Sequence, residues 1–327
     1  MFIIKELSWQ VFFFSVLHIG LFLLAAPLLQ GWIKKVKAFW QMRKGPSVLQ
    51  PYRDLGKFMR KEEVISEHTS WVFQLTPALV LGSTILACLV IPGPLGAPIS
   101  GFGSLFWLVA SFGLARFFLV LAGFDAGGSF GGMGSSRELF IGTLAEPGFI
   151  LSLLVFALMT GSTSLTEIVA TLHGTSLFEI PRILAIVSLI FILIAEMGRI
   201  PVDNPDTHLE LTMVHEGMLL EYSGPSLAFL NFASQLKQLI LLHLLALLIM
   251  PFDGGSFLSL GGQMNLGTLF SQGILQIVLV AFLGGFFATI ESINAKLRLF
   301  RVANYLAVGL GVAVLALLTL WITKGGI

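Results

Sequence analysis

Apolar residues in this chain come in blocks about 20 residues long, separated by polar segments, with no strand-like alternation. A helix needs roughly 20 apolar residues to cross the hydrocarbon layer of a bilayer, whereas a membrane β-strand shows as about ten alternating positions. The blocks therefore predict eight spanning helices, at residues 9–31, 71–92, 104–123, 138–160, 182–198, 227–250, 268–290 and 303–322. The expected fold is an all-α polytopic membrane protein, a single integral membrane domain over residues 1–327. The first block is too long for a signal-peptide core and is followed by further spans, so it is read as a helix.

Composition agrees. The chain is 56% hydrophobic and 11% charged, against about 25% charged in soluble domains, which leaves too little polar surface to coat a water-facing globule. Its one cysteine, Cys88, lies in an apolar run. A lone cysteine excludes an intrachain disulfide and any cysteine-paired metal or iron–sulfur site within the chain, and a buried inert thiol is the expectation.

The net charge of +1 hides a segregation. Lys34, Lys35, Lys37, Arg43, Lys44, Arg53, Lys57, Arg60 and Lys61 follow the first block, and Lys296, Arg298 and Arg301 follow the seventh. The opposite loops hold only Lys5, Arg182 and Lys324 as bases. The positive-inside rule then puts the basic side in the cytoplasm and both termini outside. Cytoplasmic loops are expected at 32–70, 124–137, 199–226 and 291–302, while Pro92–Gly103 and Phe252–Gly267, rich in Gly, Pro and Ser, read as external connectors. Within the first loop, Leu55, Phe58 and Met59 recur at helical spacing among bases, which predicts an amphipathic helix at the membrane surface, either a lipid-attracted topology signal or a docking element.

The stretch Ala195–Gly224 concentrates the chemistry. It holds Glu196, Asp203, Asp206, Glu210, Glu216 and Glu221, six of the chain's 18 carboxylates, together with Arg199, His208 and His215. Topology puts most of it in the third cytoplasmic loop. Further polar groups fall inside the spans: Arg116, Glu138, Glu146, His18, His243 and the stripe Asn231, Gln235, Gln238. A charge at membrane depth costs a few kcal/mol even on the gentlest scale, so it faces a partner or a wet cavity. Arg116 and Glu146 form a candidate pair. The two histidines read as helix-to-helix glue, whereas Glu138, Glu146 and Glu196, all in cytoplasmic halves of spans, read as a path carrying protons or ions inward from the acidic loop.

Enzyme motifs are missing. There is no phosphate-binding loop and no dinucleotide fingerprint. His215-Glu216 opens like a zinc-protease motif, but Leu219 stands where the second histidine belongs. His208 and His215, seven apart, fall short of the three or four ligands an all-protein metal site needs, so no metal site is assigned. Gly127–Gly134 joins two spans and reads as close-packed backbone.

Ala195–Asp203 with Glu221–Gly224 resembles the signature of respiratory complex I subunit 1, an eight-helix membrane subunit. Arg199–Glu216, Gly132–Glu138, Leu144–Pro147, Leu49–Asp54 and Glu291–Arg301 resemble more closely its hydrogenase branch, the formate hydrogenlyase subunit 4 type of anchor found in energy-converting group 4 [NiFe] hydrogenases. The likeness covers nearly the whole chain. Val202, Asn204, Asp206, Thr207 and His208, and Ala295-Lys296 after the seventh span, depart from the complex I pattern for its quinone cavity. The resemblance implies a multi-pass subunit of a prokaryotic inner membrane whose active loops face the cytoplasm. Its partners would be hydrogenase large and small subunits, a ferredoxin-like iron–sulfur subunit and antiporter-like membrane subunits, not nucleic acid. The [NiFe] centre and iron–sulfur clusters would lie in those partners. Coupling would fall to Arg116, Glu138, Glu146, Glu196, Asp203, Asp206, His208, Glu210, His215, Glu216 and Glu221. Arg53, Asp54, Arg137, Arg199, Glu291, Lys296, Arg298 and Arg301 would dock the peripheral arm or hold loops. The alternative is the quinone-site subunit of a complex I-type oxidoreductase.

Overall fold

A computed structural model describes residues 9–93, 103–204, 213–250 and 266–325. Among these residues the chain forms eleven helices. They are α1 (Trp9–Trp40), α2 (Gln50–Met59), α3 (Trp71–Val90), α4 (Leu105–Asp125), α5 (Ser129–Thr160), α6 (Leu165–His173), α7 (Ile180–Glu196), α8 (His215–Leu219), α9 (Gly224–Ile249), α10 (Leu266–Ile293) and α11 (Leu299–Gly325). Seven of them, α1, α3, α4, α5, α9, α10 and α11, are long and apolar enough to cross a membrane, as their sequence pattern predicts.

The predicted fifth span, 182–198, is the shorter α7, a helix of 17 residues. At about 1.5 Å per residue it is about 25 Å long, less than the roughly 30 Å hydrocarbon layer. Its ends are set locally: Pro181 occupies the first turn, where no amide donor is needed, and Gly198 at φ 59° turns the chain beyond Glu196. It lies against α5 and α11 and buries Ser188, Leu189, Ile192 and Leu193 between them.

The other helices differ from expectation mainly at the basic end. The first span continues to Trp40, because lysine is a good helix former and the backbone ladder does not stop where the hydrocarbon does. The expected loop 124–137 shrinks to residues 126–128, since α5 begins at Ser129. Glycine permits this: a Cβ on Gly131 would lie 2.7 Å from the Gly123 carbonyl oxygen, so the two helix ends touch backbone to backbone. The amphipathic helix expected in the first loop is α2. Residues 161–179, which carry no prediction, contain α6, whose Leu165, Ile168, Val169 and Leu172 are buried on one face.

Helix α9 is the centre of the bundle. From Gln238 to Leu248 every residue is buried, the mark of a helix covered all round. It touches α1, α2, α3, α7 and α10, while α3 passes the contact on to α4 and α4 to α5. Short polar links fasten the pairs. Asp125 accepts from the Ser70 amide and hydroxyl, and Ser188 joins Ser152 of α5 to the Gly309 carbonyl of α11 at 2.8 and 2.7 Å.

Candidate functional site

The site is built where α4, α5, α7 and α9 converge. Arg116 projects from α4 and meets three carboxylates. Its Nε donates to Glu138 at 3.2 Å, one terminal nitrogen donates to Glu146, and the other donates to both oxygens of Glu196 at 2.6 and 2.7 Å. Glu138 and Glu146 are eight residues apart on α5, two turns of helix, so the long guanidinium arm bridges both. Gly142 lies between them, and a Cβ there would come within 3.0 Å of the Arg116 side chain. Lys237 of α9 closes the other side, donating to Glu196 at 2.9 Å beneath the Phe112 ring.

The electrostatics follow from the count. Three carboxylates face two permanent cations, Arg116 and Lys237, so the cluster carries one negative charge in excess when all are ionised. Accessibility is graded within the cluster: the Glu196 side chain is 4% exposed, Glu138 20% and Glu146 41%.

A second cluster begins three residues after Glu196. Arg199 donates to Gln238 at 2.6 Å and to Gln30 at 2.8 Å, and stands 3.7 Å from Glu291, which Lys37 of α1 meets at 2.5 Å. Gln238 is the neighbour of Lys237, so the two clusters join across one turn of α9. A third tie holds the connector beyond: Asp203 accepts from Lys296 at 2.7 Å and from the amides of Asn204 and His215. Leu297 donates its amide to the Pro201 carbonyl, binding the α10–α11 turn to the same connector.

Between the clusters lies a cavity of about 220 Å³, lined among others by Arg116, Glu196, Arg199, His215, Gln235 and Lys237. Two of its buried polar atoms, His215 Nε2 and Gln235 Oε1, have no hydrogen-bond partner among the described residues. A chamber of this size and polarity is fit for water, which occupies about 30 Å³ per molecule.

The structure brings together Arg116, Glu138, Glu146 and Glu196, and the expected Arg116–Glu146 pair is present. His215 and Glu216 line the cavity. Glu221 is exposed on the surface, outside the network. Asp206, His208 and Glu210 lie outside the described residues. Of the docking charges, Arg53, Arg298 and Arg301 are exposed, Asp54 accepts from Gln50, and Arg137 donates to the Met213 carbonyl at 3.0 Å. Arg199 and Glu291 are instead buried inside the bundle, at 8% and 5% exposure, because each finds a partner there that a surface position would not supply. Lys296 is spent on Asp203. His18 and His243 are glue as expected, with Nε2 against the carbonyls of Cys88 and Pro92 at 3.2 and 3.0 Å. Cys88 is buried.

Two participants escape a reading of the sequence alone. Lys237 is a lone cation inside an apolar run, the same signal that exposes Arg116, and lies between Gln235 and Gln238 of the polar stripe. Lys37 reads as one more base of the first loop, and only the continuation of α1 turns it inward. Near the same face Tyr222 is buried, stacked on Phe73 at 4.0 Å and donating to its carbonyl at 2.9 Å, and burial pushes its phenol above the ordinary range.

Comparison with known proteins agrees with this architecture. Residues 13–323 match a family described as NADH dehydrogenase. Formate hydrogenlyase subunit 4 of Escherichia coli (strain K12) is 33% identical over 297 residues, covering 90% of this chain and 94% of that protein. Hydrogenase-4 component C of the same organism is 36% identical over 248 residues, 76% of this chain and 78% of that one. A chain of the membrane-bound sulfane sulfur reductase, an archaeal respiratory membrane complex, superposes with a TM-score of 0.79 over 95% of this chain and 99% of its own length, and at 22% identity it shows the shared fold. The chain belongs to the NADH dehydrogenase family, as a subunit 1-like membrane protein similar to formate hydrogenlyase subunit 4.

Proposed function

We propose that this chain is the membrane-anchoring and ion-coupling subunit of a membrane-bound [NiFe]-hydrogenase complex of the formate hydrogenlyase type. The observation that carries the reading is the Arg116–Glu138–Glu146–Glu196–Lys237 network, which includes the last residue of α7, three before Arg199. The similarity to formate hydrogenlyase subunit 4 and hydrogenase-4 component C supports the hydrogenase assignment. In this reading the basic face lies toward the cytoplasm of a prokaryotic cell and receives the peripheral subunits, which hold the [NiFe] centre and iron–sulfur clusters. Electron transfer in that arm shifts the connector, and Asp203, held by Lys296, and Arg199, held by Gln238, transmit the shift to Glu196. The excess negative charge of the Arg116 cluster then takes up or releases one proton through the cavity. Proton or sodium transport completes the step in antiporter-like neighbours.

Purification of the intact complex from native membranes, with nickel, hydrogen evolution and quinone reduction measured together, tests the assignment. Stoichiometric nickel with hydrogen evolution is the expected result. Quinone reduction without nickel overturns it in favour of a complex I-type quinone-site subunit, the reading that the family description NADH dehydrogenase keeps open.

A further inference from the structure

A second cavity has nothing to do with the charged network. It is a lateral groove of about 520 Å³ between α1, α9 and α10, walled by Leu21, Leu28 and Trp32 on one side and Ile274 and Ile277 on the other. Leu28, Trp32 and Ile277 are 40, 42 and 65% exposed, so the groove opens sideways, toward lipid rather than into the bundle. The histidines at its closed end, His18 and His243, have committed Nε2 to carbonyls. From His18 to Trp32 the wall runs fourteen residues, about 21 Å, longer than the roughly 15 Å of hydrocarbon in one leaflet.

The other end of the groove is basic and aromatic. Leu21, Leu28, Trp32, Lys35 and Phe39 follow one another at helical spacing, so Lys35 continues the exposed stripe that forms the wall. Two indoles cross from α1 to α10 here: Trp32 Nε1 donates to the Ala281 carbonyl at 3.0 Å and Trp40 Nε1 to the Thr289 hydroxyl at 2.9 Å. Tryptophan at this level marks the boundary between hydrocarbon and headgroups. The chain then doubles back along α1. A Cβ on Gly45 would lie 3.4 Å from Lys35 Cα, and one on Gly31 would collide with the Val48 carbonyl at 2.0 Å. That return sets Gly45 against Lys35, with Arg43 and Lys44 just before it in the chain. All three bases are exposed, and none forms an ion pair among the described residues.

We infer that this groove is a binding site for one anionic phospholipid, its acyl chains along α1 and α10 and its phosphate against Lys35, Arg43 and Lys44. Charge complementarity selects the headgroup, since basic clusters at the ends of membrane helices hold anionic lipid. The inference stands apart from the proposed function, because it uses none of the coupling residues.

Native mass spectrometry of the intact complex, delipidated in detergent and titrated with phosphatidylglycerol or phosphatidylethanolamine, tests it. The wild type should retain phosphatidylglycerol at about thirtyfold lower lipid concentration than phosphatidylethanolamine, the order expected for two interfacial bases. The double variant Lys35→Glu/Lys44→Glu should lose that preference, and Ala25→Phe, which fills the groove without touching the bases, should lose retention of both lipids. Equal retention of the two lipids by wild type, or an unchanged preference in the double variant, overturns the site. A photoreactive residue at Leu28 in native membranes supplies an independent readout. Crosslinking to lipid supports the inference, and crosslinking to a neighbouring polypeptide overturns it in favour of a helix interface.

Discussion

Two arginines stand at opposite ends of α7, one fully buried and one partly buried, and they are solvated in opposite ways. Arg182, fully buried at the start of the helix, donates to backbone carbonyls of Leu172, Thr175, Ser176, Leu248 and Ile249 and to the Thr175 hydroxyl, at 3.1 to 3.4 Å. These are the C-terminal ends of α6 and α9, where unpaired carbonyls and the helix dipole favour a cation. Arg116, beside the other end, is bonded to carboxylates alone. Fixed dipoles cannot change charge, so Arg182 is a fastener. Carboxylates are titratable groups, which is what the proposed coupling role of the Arg116 cluster requires. The two arginines differ in the chemistry of their partners, fixed dipoles around one and carboxylates around the other.

That contrast is breakable by mutation, beginning where the effect is largest. Replacing Arg182 with Leu strands several buried carbonyls and two helix ends, a cost of about 3–5 kcal/mol, and the expected outcome is loss of folded protein by thermal unfolding in detergent. Ion movement per assembled complex should be unchanged, and a selective loss of transport would erase the distinction. Arg116→Met leaves three carboxylates around one lysine. It should destabilise by about 3 kcal/mol and cut hydrogen-linked ion translocation in vesicles at least about tenfold. Glu196→Gln keeps the shape and removes the buried charge. A loss of transport of about tenfold is expected with an unfolding temperature within a few degrees of wild type. Undiminished coupling in both Glu196→Gln and Glu146→Gln would sink the proposed path. Lys237→Gln removes one of two cations and should reduce transport about threefold. Glu146→Gln should have the smallest effect, about twofold, because its side chain is the most exposed of the three carboxylates and is the easiest for water to replace.

Much of this architecture is legible in the chain. The apolar blocks mark seven of the helices, and the lone charges Arg116, Glu138, Glu146 and Glu196 stand out against hydrocarbon. Lys37, Arg199 and Glu291 were legible as charges but not as buried ones, since that depends on how far α1 and α10 continue past the apolar blocks. The glycines of 127–134 signalled close packing, but that Gly123 is the partner, reducing the connection to residues 126–128, depends on the approach of two helices.

By itself the sequence determined the class of fold, the crossing segments and the end of the bundle where charge collects. Hydrophobic cost is paid residue by residue, so it can be summed along a line. Only the tertiary structure decided which charges meet. Arg116, Glu138, Glu146, Glu196 and Lys237 span 122 positions of sequence yet share one cluster, while the fully buried Arg182 meets carbonyls and one hydroxyl. Electrostatic pairing acts over a few ångströms in space, and the folding of the helices around α9 sets those distances.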